Sequence, residues 1–207
     1  MSAAVPLSAL LDARQVWRGR APEVPAGDQP TGWHALDAVL PAGGWPEAAL
    51  SEILLPVDGV GELRLVLPTL ARLTQGQRHV VIVSPPYAPC VAGWRQHGVD
   101  MRRVEFVDAG EKDELWVTEQ CLRSGSCAAV LAWPRHADDR ALRPLQVAAV
   151  TGQSLAFVFR DRSHLSNASP AALRLEREES PRPQIWVRKC RGGAVPAQAI
   201  SLPRSVH

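Results

Sequence analysis

The sequence predicts an α/β fold: a mostly parallel sheet flanked by helices, with an N-terminal helical arm and a C-terminal antiparallel β extension. Three observations predict it. Short apolar runs rich in Val, Ile, Leu and Ala alternate with segments of helical period between residues 50 and 159. Those runs are apolar at successive positions, as strands covered on both faces require. After residue 160 the rhythm changes, and short strand-like segments follow one another with Pro and Gly between them.

Each element has its local reason. Residues 7–18 place Leu7, Leu10, Leu11, Val16 and Trp17 on one side of a helix, with Ser8 as a cap. Residues 19–30 hold Gly19, Pro22, Pro25, Gly27 and Pro30, so they form a linker. The apolar side of this arm suits its own core or a partner surface equally. Residues 33–40 form a short helix after Thr31-Gly32, with Thr31 as a candidate cap, and residues 50–55 form the first strand. Residues 62–74 form a helix with Leu63, Val66, Leu67, Leu70 and Leu73 on one face, and Pro68 should bend it or confine it to its later turns.

Residues 79–84, 104–107, 127–133 and 153–159 continue as strands. Helices at 88–97, 113–123 and 138–150 separate them, the first two closed by Gly98 and Gly125. Residues 160–169 are polar and read as a loop open to motion. Residues 171–178, 184–191 and 199–202 read as the strands of the antiparallel extension.

Composition narrows the function. The 207 residues, 46% of them hydrophobic, suffice for one sizeable core. A net charge of +2 fits neither a strongly basic DNA clamp nor an acidic mimic. Cys90, Cys121, Cys127 and Cys190 form no Cys-x-x-Cys pair and have no His at zinc-finger spacing, so free buried thiols in a reducing cytoplasm are expected, with no metal. No stretch approaches the ~18 apolar residues of a membrane span, so no membrane partner is expected.

The turn after the first strand carries the most information. Pro56 to Gly61 links an apolar strand to a helix, as a phosphate-binding loop does. Such a loop needs a Lys for the β/γ-phosphates and a hydroxyl for Mg²⁺. Here Pro56 stands at the first Gly position, Gly59 and Gly61 remain, Glu62 replaces the Lys, and Leu63 replaces the hydroxyl residue. A carboxylate ~4 Å from a phosphate is repelled by roughly 4 kcal/mol at an effective dielectric of 20. The only lysines, Lys112 and Lys189, lie elsewhere. No ATP binding and no cofactor are expected at this degenerate loop.

The lead-in Thr31-Gly32, Leu36-Asp37, Leu40, Gly43-Gly44 and Pro46 resembles that of the RecA-type recombinase core. The resemblance implies a RecA-like core over residues 31–207, with the β extension from about 170 and the arm and linker over 1–30. In that family a catalytic Glu follows the second core strand and a metal-linked Asp ends a later one. Here the matching stretches are Ser84-Pro85-Pro86-Tyr87 and Ala132-Trp133-Pro134. Phosphoryl transfer depends on such charged groups, so no ATPase is expected.

Two families built on this scaffold without its ATPase motif are closer. The chain resembles the ImuA family over nearly its whole length: Val16-Trp17-Arg18-Gly19, the lead-in, the Gly59-x-Gly61-Glu62 loop, Trp133-Pro134, and Arg188 to Gly193. It resembles the SulA family over residues 50–159, including the Leu65-Val66-Leu67-Pro68-Thr69-Leu70 helix. The ImuA resemblance implies a non-catalytic accessory role in SOS-induced error-prone translesion synthesis. Its implied partners are RecA, an ImuB-type Y-family polymerase homologue and a damage-inducible replicative-type polymerase. The SulA resemblance implies the alternative, an inhibitor of FtsZ polymerisation and cell division.

Further candidates follow from residue type. Leu10, Leu11, Trp17 and Arg18 on the arm are candidate partner contacts. Trp186, Arg188, Lys189 and Arg191 are candidate contacts to single-stranded DNA, or else a charged strand edge that resists aggregation. Strand alternation puts Trp186 and Arg188 on one face and Lys189 on the other. Trp17 and Trp45 are the tryptophans expected as exposed anchors, whereas Trp33, Trp94, Trp116 and Trp133 are expected to pack. His136, Asp138 and Asp139 fit a helix start, Asp161, Ser163 and His164 fit a surface loop, and Glu111, Asp113 and Glu114 fit a solvated helix start.

Overall fold

Strand β1 (Leu50–Leu55) is buried at all six positions and forms the spine of the sheet. In the computed structural model, which describes residues 29–59, 61–179 and 183–202, eight strands form one sheet. The others are β2 (His79–Val83), β3 (Val104–Val107), β4 (Cys127–Ala132), β5 (Leu155–Asp161), β6 (Leu173–Glu178), β7 (Gln184–Cys190) and β8 (Ile200–Ser201). Their order is β3-β2-β4-β5-β1-β6-β7-β8. The sheet is parallel from β3 to β6 and antiparallel at β6–β7 and β7–β8.

The helices are α1 (His34–Asp37), α2 (Leu63–Gln75), α3 (Val91–Gln96), α4 (Glu114–Arg123) and α5 (Asp139–Gly152). Strand alternation sends successive side chains to opposite faces. Ile53, Leu55, Ile82, Leu131, Phe157 and Phe159 share one core layer with Leu65, Val66 and Leu70 of α2. Leu50, Val81, Val83, Val130, Ala156 and Val158 share the other with Leu122 of α4 and Leu142, Leu145 and Ala149 of α5. The mostly parallel, doubly covered sheet is the fold class expected from the apolar runs.

Several local expectations are corrected. Helix α2 runs unbroken through Pro68 from Leu63, rather than only in its later turns. Two contacts explain this. Gly32 accommodates the proline ring, since a Cβ there would lie 2.4 Å from Pro68 Cβ, and the Trp33 indole donates to the Leu65 carbonyl at 3.0 Å. Trp45 is not an exposed anchor but fully buried. Its ring meets Phe157 edge-on at 4.9 Å, and its Nε1–H donates to Thr69 Oγ1 at 2.8 Å. Trp116 is the reverse case, 62% exposed on α4 although expected to pack.

Arg160 belongs to β5 and is buried, and residues 162–166 form a 3₁₀-helix where a loop was expected. Glu114 is buried although a solvated helix start was expected, and of the four thiols expected to be buried only Cys127 is, with Cys90 exposed just before α3. The extension begins one strand later than expected, because β6 pairs parallel to β1 and the antiparallel pairings are β6–β7 and β7–β8. Thr31 does not occupy the N-cap of α1; that position is Trp33, whose amide donates to Thr31 Oγ1 at 3.0 Å.

Candidate functional site

Strand β1 lies between β5 and β6, and the chain leaves β1 toward β2 on one side and β5 toward β6 on the other. The carboxyl ends of strands at such a reversal form the crevice where α/β proteins bind ligands. The loop from Pro56 to Gly61 leaves β1 at this point. Gly59 (φ +81°) and Gly61 (φ +80°) are both left-handed, a conformation glycine adopts without strain. The Tyr87 ring also packs against Gly59, where a Cβ would lie 3.0 Å from Cε2.

Glu62, only 4% exposed, stands at the N-cap position of α2. Its Oε1 accepts the Gly59 amide at 3.3 Å. A loop amide that would cradle phosphate in an active loop is thus taken by the chain's own carboxylate. Glu62 Oε2 is buried and has no hydrogen-bond partner among the described residues. The Gly61 carbonyl accepts from Arg177 Nη1 at 2.7 Å, and Arg177 also pairs with Glu179. Leu63 packs against the core layer beneath, and Pro56 lines the crevice.

The two strand ends compared above with the RecA-type carboxylate positions carry structural groups. Ser84 (φ +43°) donates from Oγ to the Ala109 carbonyl at 2.8 Å and accepts the Ala109 amide at 3.0 Å, tying the ends of β2 and β3 together. Trp133, at the end of β4, stacks on Phe159 at 4.6 Å. Its buried Nε1–H has no partner among the described residues. Trp133 divides the crevice in two. One side, about 280 Å³, is lined by Pro56, Val57, Asp58, Arg135 and Arg160. The other, about 190 Å³, is lined by Gly59, Glu62, Tyr87 and Trp94.

Beneath the crevice lies a cluster that the sequence analysis missed. Glu52, fully buried in the middle of β1, binds Arg160 Nη1 at 2.6 Å through Oε1 and Arg174 Nε at 2.7 Å through Oε2. Arg174 also donates to the carbonyls of His164 at 3.0 Å and Asn167 at 3.0 Å. A charge in an apolar strand must be paired to stay buried, so Glu52 within its run of Leu and Ile was the available signal. Arg174, held by Glu52, anchors the 3₁₀ turn, which explains why residues 160–169 are not an open loop.

The other candidates fall into local roles. Asp138 caps α5 by accepting the Ala141 amide at 2.8 Å. Asp161 accepts the Ser163 amide at 2.7 Å, and these hydrogen bonds hold its carboxyl below the ordinary range. His136 pairs with Glu111 at the surface. Among the described residues, no three His, Cys, Asp or Glu side chains converge as metal ligands.

On β7, Arg188 sits over the Trp186 ring at 4.7 Å and binds Glu176 at 2.6 Å. Trp186 Nε1–H donates to Glu178 at 3.0 Å. Lys189 donates to the Ser169 carbonyl at 2.7 Å, and burial lowers its pKa. Arg191 reaches the Pro170 carbonyl at 3.4 Å. Each member of the basic cluster therefore has an internal partner. Leu10, Leu11, Trp17 and Arg18 lie outside the described residues.

Fold and site define a class: an α/β protein with a mostly parallel, helix-covered sheet, in which the loop after β1 is closed by its own glutamate. No protein-family model matches the chain, and no curated protein matches it. Among solved structures the chain is similar to SulA from Pseudomonas aeruginosa, at 27% identity, covering 56% of this chain and 98% of that one, with a TM-score of 0.46. The ImuA resemblance rests on sequence motifs alone. Among the described residues, no helix is long and apolar enough to cross a membrane.

Proposed function

We propose that this chain is a non-catalytic RecA-like accessory protein of SOS-induced error-prone translesion synthesis, working in the cytoplasm through contacts with RecA and mutagenic polymerase subunits. The observation that carries this proposal is the Glu62–Gly59 hydrogen bond. It places negative charge where a phosphate would sit and uses a donor the phosphate would need. A domain of this shape can offer a protomer-like surface to a RecA filament but brings no ATP to the joint. Extension past that joint would fail, because the charge-neutralising groups of phosphoryl transfer are missing. The N-terminal arm, with Leu10, Leu11 and Trp17, supplies the contact to the neighbouring protomer in this scheme.

Capture of RecA on single-stranded DNA tests the proposal. The full chain is expected to retain RecA and shorten its filaments without hydrolysing ATP. A chain lacking residues 1–20 is expected to lose that capture; equal capture by both would remove the arm from the scheme. Loss of FtsZ polymer in a sedimentation assay, with no RecA retained, would overturn the proposal in favour of division inhibition.

A further inference from the structure

The smaller half of the crevice has an unusual wall. Its surface is aromatic and apolar, with Leu63, Pro86, Tyr87, Trp94 and Trp133, and among the described residues its one charged lining side chain is Glu62. Only one carboxylate oxygen of Glu62 is used, by the Gly59 amide, and Oε2 is buried without a partner among the described residues. The nearby Arg177 is already committed to the Gly61 carbonyl and to Glu179. A buried acceptor without a donor is costly, and the cost is removed when a donor arrives. Tyr87 stands at the mouth, 60% exposed, with its ring against Gly59.

We propose that this crevice receives an arginine side chain from a protein partner. The inference rests on the reading of the loop as a protein-docking site rather than a nucleotide site. The charge relation of a phosphate-binding loop is inverted: there a lysine of the domain meets an anionic ligand, whereas here a glutamate of the domain meets a cationic one. The guanidinium donates to Glu62 Oε2. Its flat face lies against the aromatic walls, which attract a cation. Its methylene stem lies on Leu63 and Pro86, as long cationic side chains do on apolar surface. A cavity of about 190 Å³ has room for one such side chain.

The test uses the full chain labelled with ¹⁵N and the indole signals of Trp94 and Trp133, assigned by single Trp→Phe variants. The probe is N-acetyl-arginine N-methylamide, and the neutral citrulline analogue is the control. Arginine is expected to shift these signals saturably, and citrulline is expected to leave them in place. Glu62→Gln is expected to weaken the binding about tenfold, through loss of a charge-assisted hydrogen bond. Tyr87→Ala, at an exposed position that leaves the core intact, is expected to weaken it about threefold. Equal shifts with citrulline, or unchanged affinity in Glu62→Gln, overturn the inference. RecA capture that survives those results leaves the proposed function standing. Saturable ATP·Mg²⁺ binding at the same indoles overturns both.

Discussion

Arg177 Nη1 donates to the Gly61 carbonyl at 2.7 Å, and by this bond β6 holds the loop that follows β1. The two residues are 116 positions apart. The Arg177 guanidinium thus lies against the loop backbone, and Glu62 of the same loop lines the crevice. A loop held in this way cannot easily open around a phosphate, because both a carbonyl and an amide are already bonded within the chain.

Arg177→Ala is therefore expected to loosen the loop while leaving the sheet in place. The loss of a charged, buried hydrogen bond should cost about 1–3 kcal/mol of stability in urea unfolding. Hydrogen exchange at Gly61 to Leu63 should accelerate more than exchange in β1. Unchanged exchange at the loop would mean that the contact does not hold it.

The Glu52 cluster should be far more sensitive. Replacing Glu52 by Ala leaves Arg160 and Arg174 buried without their counter-charge, with an expected loss of about 3–5 kcal/mol. Replacing all three residues together by apolar ones of similar volume should recover much of that loss. The comparison of single and triple variants by denaturant unfolding checks whether the cost arises from the unpaired charges.

Glu114 gives a pH signature. Burial pushes its carboxyl above the ordinary value of 4.5, against the Trp133 amide and Arg135, which lower it. A raised folded-state pKa means that its contribution to stability is complete below the unfolded value and is lost as pH rises through the folded one. Glu114→Gln is expected to be at least as stable as the parent at neutral pH. Its advantage should shrink as the pH falls toward 4.5. Unfolding curves across that window measure the difference, and a constant offset would assign the effect to packing.

Gly152 sets the approach of α4 to α5. A Cβ there would lie 1.8 Å from the Leu122 carbonyl oxygen, so Gly152→Ala must push the helices apart. Overpacking of this kind should cost about 1–3 kcal/mol, read as a lowered midpoint of thermal or urea unfolding. A neutral substitution would show that the helix pair yields freely.

Much of the frame was legible in the residue order. Apolar runs such as His79–Val83 and Cys127–Ala132 can be buried on both faces only in a covered sheet, and the alternating helical segments supply the cover. That residues 62 and 63 carry neither a lysine nor a hydroxyl could likewise be read directly, because residue type alone decides it. Folding decided which distant groups meet. Nothing local distinguishes Trp45, which fills a pocket under Phe157, from Trp116, which faces solvent. Nothing local tells that Glu52 reaches Arg160 and Arg174 across 108 and 122 positions, or that Arg177 closes on Gly61. Periodicity reports how one segment divides its own faces, whereas pairing and burial across the sheet depend on which strand lies beside which.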